Sequence, residues 1–242
     1  MVRVRSRLPR SQGIADSLRR AILAGEYRPG DRLPPERKLA EQLSVGRSTV
    51  REALKQLEQL GLVDIRHGGG VTVRPLDRAS LELVQHLIVA DGRPDRDVIE
   101  QTFEVAAALI GATARLAVER GSPAVLEDAR ERLAVARRPE LDDGAYFVAE
   151  QEFMRGLEAA SGNFVLCLLR NALSALLSQV QRRDLGEALR PPVEVIDSIA
   201  KQIDAAIEAR DARGVEEGLL RLLAHRRERI LAVAEMMRAE PG

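Results

Sequence analysis

Apolar residues along this chain follow two rhythms. In most stretches they recur every three or four positions, as on one face of a helix; over 63–73 they alternate, as on one face of a strand. Residues 11–24 place Ile14, Leu18, Ala21 and Ile22 on one helical face, and Gly25 ends that helix. RPGDRLPP (28–35) reads as a turn-rich connection. Leu33, Leu39, Ala40 and Leu43 anchor a second helix starting near Pro35, and Ser44-Val45-Gly46 makes a turn. A third helix carries Val50, Ala53, Leu54, Leu57 and Leu60, and Gly61 caps it. Val63, Ile65, Val71 and Val73 alternate on either side of His67-Gly68-Gly69-Gly70, the pattern of a two-stranded hairpin. Three helices and a hairpin in this order make a winged helix-turn-helix.

After Pro75 no strand pattern remains. Helices are expected near 79–91, 95–120, 123–137, 143–161, 163–183, 193–210 and 212–238. Pro94, Ser122-Pro123, Pro139, Gly162 and Pro191-Pro192 punctuate them. Ser122-Pro123 has the form of a helix cap followed by a first-turn proline. The expected fold class is mainly α: a DNA-binding winged helix-turn-helix over 1–76, then an all-α bundle of six or seven helices over 77–242.

The charge distribution sharpens this division. The 242 residues have no net charge, yet residues 1–76 carry 15 Lys/Arg against 8 Asp/Glu, a net +7, and the rest a net −7. A basic first part joined to an acidic second part implies a polyanion partner for the first alone. The N-terminal MVRVRSRLPRSQG is basic with no apolar stretch after it, so it reads as an arm and not as a secretory leader. No apolar run approaches the roughly 18 residues of a membrane span. A single cysteine, Cys167, excludes an intrachain disulfide and fits a reducing, cytoplasmic setting. Its apolar neighbours (FVLCLL) predict a buried structural thiol.

The polar face of the third helix starts with Arg47, Ser48, Thr49 and Arg51. Recognition helices enter the major groove with their N-terminal residues. Arginine there can take guanine O6 and N7 together, and short hydroxyls reach phosphates or base edges. Arg37, on the preceding helix, falls near the backbone crossing, and His67 with Gly68 at the hairpin tip suits a minor groove.

PGDRLPPERKLAEQLSVGRSTVREALKQLEQLGLV followed by HGGGVTV resembles the N-terminal domain of the GntR family of bacterial transcription regulators. Residues 100–135 and 146–231 are similar, more weakly, to the FCD-type helical domain of the FadR subfamily. The resemblance implies a homodimer on a palindromic double-stranded DNA operator, rearranged when a small-molecule effector enters the bundle. The positions matching the family's DNA contacts are Arg37, Arg47, Ser48, Thr49, Arg51, His67 and Gly68.

Many members hold a divalent metal with one acidic residue and three histidines, which orients a small carboxylate. Here the first histidine position is Met154, the second Ala200 and the third Leu222, with His225 one turn further along as the nearest substitute. Two residues after Glu104, Ala106 replaces a usual arginine. A lone imidazole and a lone carboxylate make a poor metal site, so no metal and no cofactor are expected. The stretch FMRGL, ending in ASGN, is similar to the metal-free regulators that respond to fatty acyl-CoA. The apolar replacements suit a hydrocarbon chain. The candidate effector pocket is therefore Glu104, Glu150, Met154, Ala200, Leu222 and His225, with a long-chain acyl-CoA or another apolar metabolite as effector. The alternatives are a metal-dependent sensor of a small carboxylate and an effector-free DNA-binding protein.

No catalytic constellation competes. His67, His86 and His225 are scattered, and none pairs with a nearby Ser or Cys in a nucleophile motif. Glu150 and Glu152 fall on opposite sides of one helix, so they form no acid/base pair.

Overall fold

The computed structural model describes residues 10–66, 69–90, 93–184 and 190–239. It contains two compact units, residues 1–86 and 87–242. The division expected at 76/77 thus lies inside the first unit, where the Ser80 N–H donates to the Leu60 carbonyl at 2.9 Å and ties the following turns down.

The first unit is built from α1 (Arg10–Leu23), α2 (Glu36–Gln42), α3 (Arg47–Gln59), β1 (Val63–Arg66) and β2 (Gly70–Val73). Ile14, Ala15, Leu18 and Ile22 of α1 pack on the face of α3 formed by Val50, Ala53, Leu54 and Leu57, all four of them fully buried. Between α2 and α3 the chain turns within four residues, Leu43 to Gly46. Ser44 takes the left-handed conformation (φ 52°), and the Val45 N–H returns to the Ala40 carbonyl. Gly61 (φ 71°) closes α3 in the same way, with the Leu62 N–H on the Leu57 carbonyl. β1 and β2 pair antiparallel, Val63 opposite Val73 and Ile65 opposite Val71, so the alternating apolar residues share one face.

Leu33 departs from the expectation. It lies ahead of α2, in a segment that runs along the outer edge of β2: the Leu33 N–H donates to the Val71 carbonyl, and Gly30 and Asp31 bond to Val73. The supposed turn-rich connection serves as a third, irregular strand of the wing. Leu43, expected in the buried face of α2, is exposed because it is already the C-cap residue of that helix.

The second unit holds α5 (Arg96–Arg120), α6 (Pro123–Ala136), α7 (Asp143–Ser161), α8 (Phe164–Asp184), α9 (Val193–Glu208) and α10 (Ala212–Ala239). Its core gathers Ala114, Ala117 and Val118 of α5, Leu126, Ala129 and Leu133 of α6, Phe153 and Leu157 of α7, Ile199, Ile203 and Ile207 of α9, and Val215 and Leu219 of α10. Asp95, Ser122 and Asp142 cap α5, α6 and α7 by accepting from their first-turn N–H groups. The α9–α10 crossing is tight: a Cβ at Gly218 would run into the Ile203 side chain. The C-terminal carbonyls of α5 are closed from outside the helix, with Arg210 donating to Val118 and Gly121 at 3.2 and 3.0 Å.

The helix expected over 79–91 is mostly absent. Two single turns of 3-10 helix (Leu76–Arg78 and Leu81–Leu83) precede a short α4 (Val84–Ile88), and β3 (Val89–Ala90) then pairs with β4 (Arg93–Pro94). A β-branched Ile88-Val89 pair ahead of Pro94 favours extended chain over another helical turn. Cys167 is half-buried, not buried, because the outer face of α8 leaves Phe164, Val165, Leu168 and Leu169 exposed. Among the described residues no helix is long and apolar enough to cross a membrane.

Candidate nucleic-acid interface and ligand cavity

The apolar face of α3 is locked into the first unit, so its opposite edge must face outward. Arg47, Ser48, Arg51 and Lys55 are exposed there, and Thr49 is half-buried. Gly46 occupies the N-cap of α3 in an extended conformation and no side chain caps the helix. The first turn therefore keeps backbone donors for an outside acceptor, the arrangement that favours phosphate.

The candidate arginines are not equivalent. Arg51 donates through Nε and Nη2 to the two carboxylate oxygens of Glu36, at 3.2 and 2.8 Å. This hydrogen bond, with the charge of Arg51 behind it, holds the Glu36 carboxyl below the usual carboxylate range. Arg37 lies 3.4 Å from Glu41 one turn along α2, an exposed pair of small energetic weight. For Arg47 the described residues offer no ion pair. His67 and Gly68 lie outside the described residues; next to them, the Gly69 N–H donates to the Arg66 carbonyl and closes the end of the wing.

In the second unit α5, α7, α8 and α10 line a cavity of about 250 Å³ that is partly open to solvent. Its wall is mostly apolar, with Leu109, Ile110, Phe147, Phe153, Met154, Leu173, Leu219, Leu222 and Leu223, and its polar groups include Glu150, Gln151, Arg170 and Arg226. Of the residues predicted for the pocket, Glu150, Met154 and Leu222 are on this wall. Glu104 is exposed on α5, Ala200 is packed in the core of the unit, and His225 is half-buried beside the wall without forming part of it. Ala106 does line the cavity, and its small side chain leaves room there.

Arg226 and Arg170 escaped the sequence reading. Arg226 follows Leu222 by four residues, one helical turn, and that spacing was the available signal. Its Nη2 donates to both oxygens of Glu150, at 2.8 and 2.5 Å, and its guanidinium carbon stands 5.5 Å from the centre of the Phe147 ring. Burial works against the Arg226 charge, but the Glu150 carboxylate more than offsets it and holds the guanidinium protonated beyond its ordinary range. Arg170 is paired with the buried Glu158 and donates to the Gln151 Oε1 at 2.8 Å. Glu152, on the other side of α7, faces Arg132 at 3.0 Å.

A divalent metal does not fit this wall. Among the described residues no three His, Cys, Asp or Glu side chains come together as ligands. Among the described residues the one carboxylate on the cavity wall, Glu150, is already taken by a guanidinium.

Residues 10–73 match the gntR family of bacterial regulatory proteins, and residues 101–225 match the FCD domain. The chain belongs to the gntR family, in its FCD-bearing branch. This gntR-family chain is 37% identical over 155 residues to the HTH-type transcriptional regulator Mce2R of Mycobacterium tuberculosis, covering 64% of each chain. It is 33% identical over 161 residues to the HTH-type transcriptional regulator LutR of Bacillus subtilis, covering 66% of this chain and 72% of that one. A fatty acid metabolism regulator protein of Serratia proteamaculans is 32% identical over 163 residues, 67% of this chain and 66% of its own. The matched stretch is about 64% of the length of the first of these relatives. The fold is similar to that of Lar, which controls the expression of the Listeria monocytogenes agr system (TM-score 0.53, 20% identity, 95% of this chain and 97% of that one). It is also similar to that of Escherichia coli McbR/YncC (TM-score 0.50, 21% identity, 95% and 99%). The gntR family and the curated relatives are transcription regulators, not enzymes.

Proposed function

We propose that this protein is a homodimeric cytoplasmic regulator that binds a palindromic double-stranded DNA operator and rearranges on it when an apolar acyl metabolite fills the bundle cavity. One observation carries the DNA half of the reading: the start of α3 is exposed, uncapped and basic, while its other face is buried beyond any alternative use. Arg47 is the base-reading residue and Ser48 and Thr49 take phosphate or base edges. Arg51 ties α3 to α2 through its pair with Glu36, and Arg37, exposed on α2, is placed to meet the DNA backbone.

The effector half rests on the apolar wall of the cavity and on the similarity to fatty acid metabolism regulator proteins over 67% of the chain. A ligand there acts only by differing in affinity between two arrangements of the dimer. The cavity volume of about 250 Å³ lies just below the usual range of ligand pockets, so a long acyl chain has to open the bundle further or extend out of the cavity mouth. A gel-shift titration at fixed salt tests the reading. Arg47→Ala should weaken operator binding by about 1–3 kcal/mol; unchanged affinity removes Arg47 from the interface.

A further inference from the structure

Glu58 stands in the last turn of α3, where a carboxylate is set against the negative end of the helix. It is exposed, and it adds a negative charge to the basic first part of the chain. Neither the helix nor a DNA partner favours an acid at this position. Its use lies across the turn: the Ile65 N–H of β1 donates to the Glu58 Oε1 at 3.1 Å.

The strand register explains why that N–H is available. On β2, Val71 and Val73 turn their backbone groups to the segment 30–33. Ile65 and Val63, opposite them, therefore turn theirs to the outer edge of β1. Glu58 covers that edge at Ile65, one residue before the strand ends. The base of the wing is held by packing, with Leu62, Val63 and Val73 buried. Its far half has less to hold it. Arg66 is exposed, with its guanidinium on Asp64 of the same strand at 2.9 Å, and Gly69 and Gly70 bring no side chain to pack.

We propose that Glu58 is a positioning residue for DNA binding: its carboxylate fastens the far half of the wing to α3, so that Arg66 reaches phosphate while α3 lies in the groove. This inference rests on the wing and α3 meeting the same duplex.

Charge and tether act in opposite directions, which makes them separable. Glu58→Gln removes the charge and keeps an acceptor oxygen for the Ile65 N–H. Glu58→Ala removes both. Neither weakens α3, because both new residues are good helix formers and the terminal carboxylate is gone. The test is a gel-shift titration of the full chain at several salt concentrations, on a duplex that the wild-type chain selects from a random-sequence library. Glu58→Gln should bind at least as tightly as wild type. Glu58→Ala should bind about fivefold more weakly, as for loss of one solvent-exposed hydrogen bond. Its slope of log affinity against log salt should be shallower by about one for each wing that lets go. Arg66→Ala should cost affinity in the wild-type chain and nothing further in Glu58→Ala. Equal affinities for the two Glu58 variants, an unchanged salt slope in Glu58→Ala, or additive losses with Arg66→Ala overturn the inference. Arg47→Ala on the same duplex separates the two readings. Weakened binding there with Glu58→Ala unaffected removes the tether alone, and unchanged binding there removes Arg47 from the interface.

Discussion

Arg51, on the exposed edge of α3, reaches back to Glu36 at the start of α2 and binds both of its carboxylate oxygens. The pair fastens the two helices of the helix-turn-helix at the end where DNA would enter. It also places a negative charge beside the basic edge that phosphates would approach.

Glu36→Gln should therefore tighten DNA binding, by roughly threefold at low salt and less at high salt, because it removes a repulsive charge from the surface proposed to meet phosphates. A gel-shift series at two salt concentrations checks this. The same variant should change the acid dependence of stability. The Glu36 pKa is lowered chiefly by the Arg51 hydrogen bond. The stabilisation is thus present while Glu36 is ionised, above the ordinary carboxylate range, and is lost as pH falls through the lowered value. Glu36→Gln should flatten that part of the acid limb in a thermal-melt series, by a small amount because both partners are partly exposed.

The Glu150–Arg226 pair belongs to a different energetic class because it is largely withdrawn from water. Arg226→Met should destabilise the bundle by about 3–5 kcal/mol by leaving the Glu150 carboxylate buried without a counter-charge. Combining it with Glu150→Met should recover most of that loss in urea denaturation. Additive losses in the double variant would show that the two residues do not act as a pair.

Gly218 permits the close crossing of α9 and α10. Its backbone is ordinary helix, so a side chain there is opposed only by space, and that space is filled by Ile203. Gly218→Ala should lower stability by about 1–3 kcal/mol despite the better helix propensity of alanine. Ile203→Ala removes the side-chain carbon that a Cβ at 218 would meet, so the double variant should lose less than the sum of the two single losses, as read from melting temperatures.

Ala106 offers a way to close the cavity without touching its charges. Ala106→Leu adds side-chain volume into an existing space, so stability should change by less than about 1 kcal/mol. Operator affinity should stay the same while any effector response is lost. A retained response would place effector binding elsewhere.

Much of the architecture is written locally. Helix α7 is marked at one end by Asp142, which caps it, and at the other by Gly162 in the left-handed conformation. Such punctuation acts on the chain within one turn, so its position can be read directly. The wing is legible for the same reason: Val63, Ile65, Val71 and Val73 alternate, and a slip of one residue would turn all of them to the wrong face. Where local signals conflict the reading fails. The LVQHLIV run has a helical period, yet it gives way to paired extended chain at Val89.

Sequence by itself determined which faces are apolar, where the helices from α5 onward start and stop, and that a basic first part precedes an acidic bundle, because each depends on neighbours a few positions apart. The tertiary structure alone decided the pairings: Leu33 on the edge of β2, Glu36 on Arg51, and Arg226 beside Glu150 across 76 positions of sequence. Those contacts are chosen by packing the helices together. Periodicity says that a residue lies on a face, but the partner it meets there depends on the rotation, the crossing and the depth that the whole core settles on.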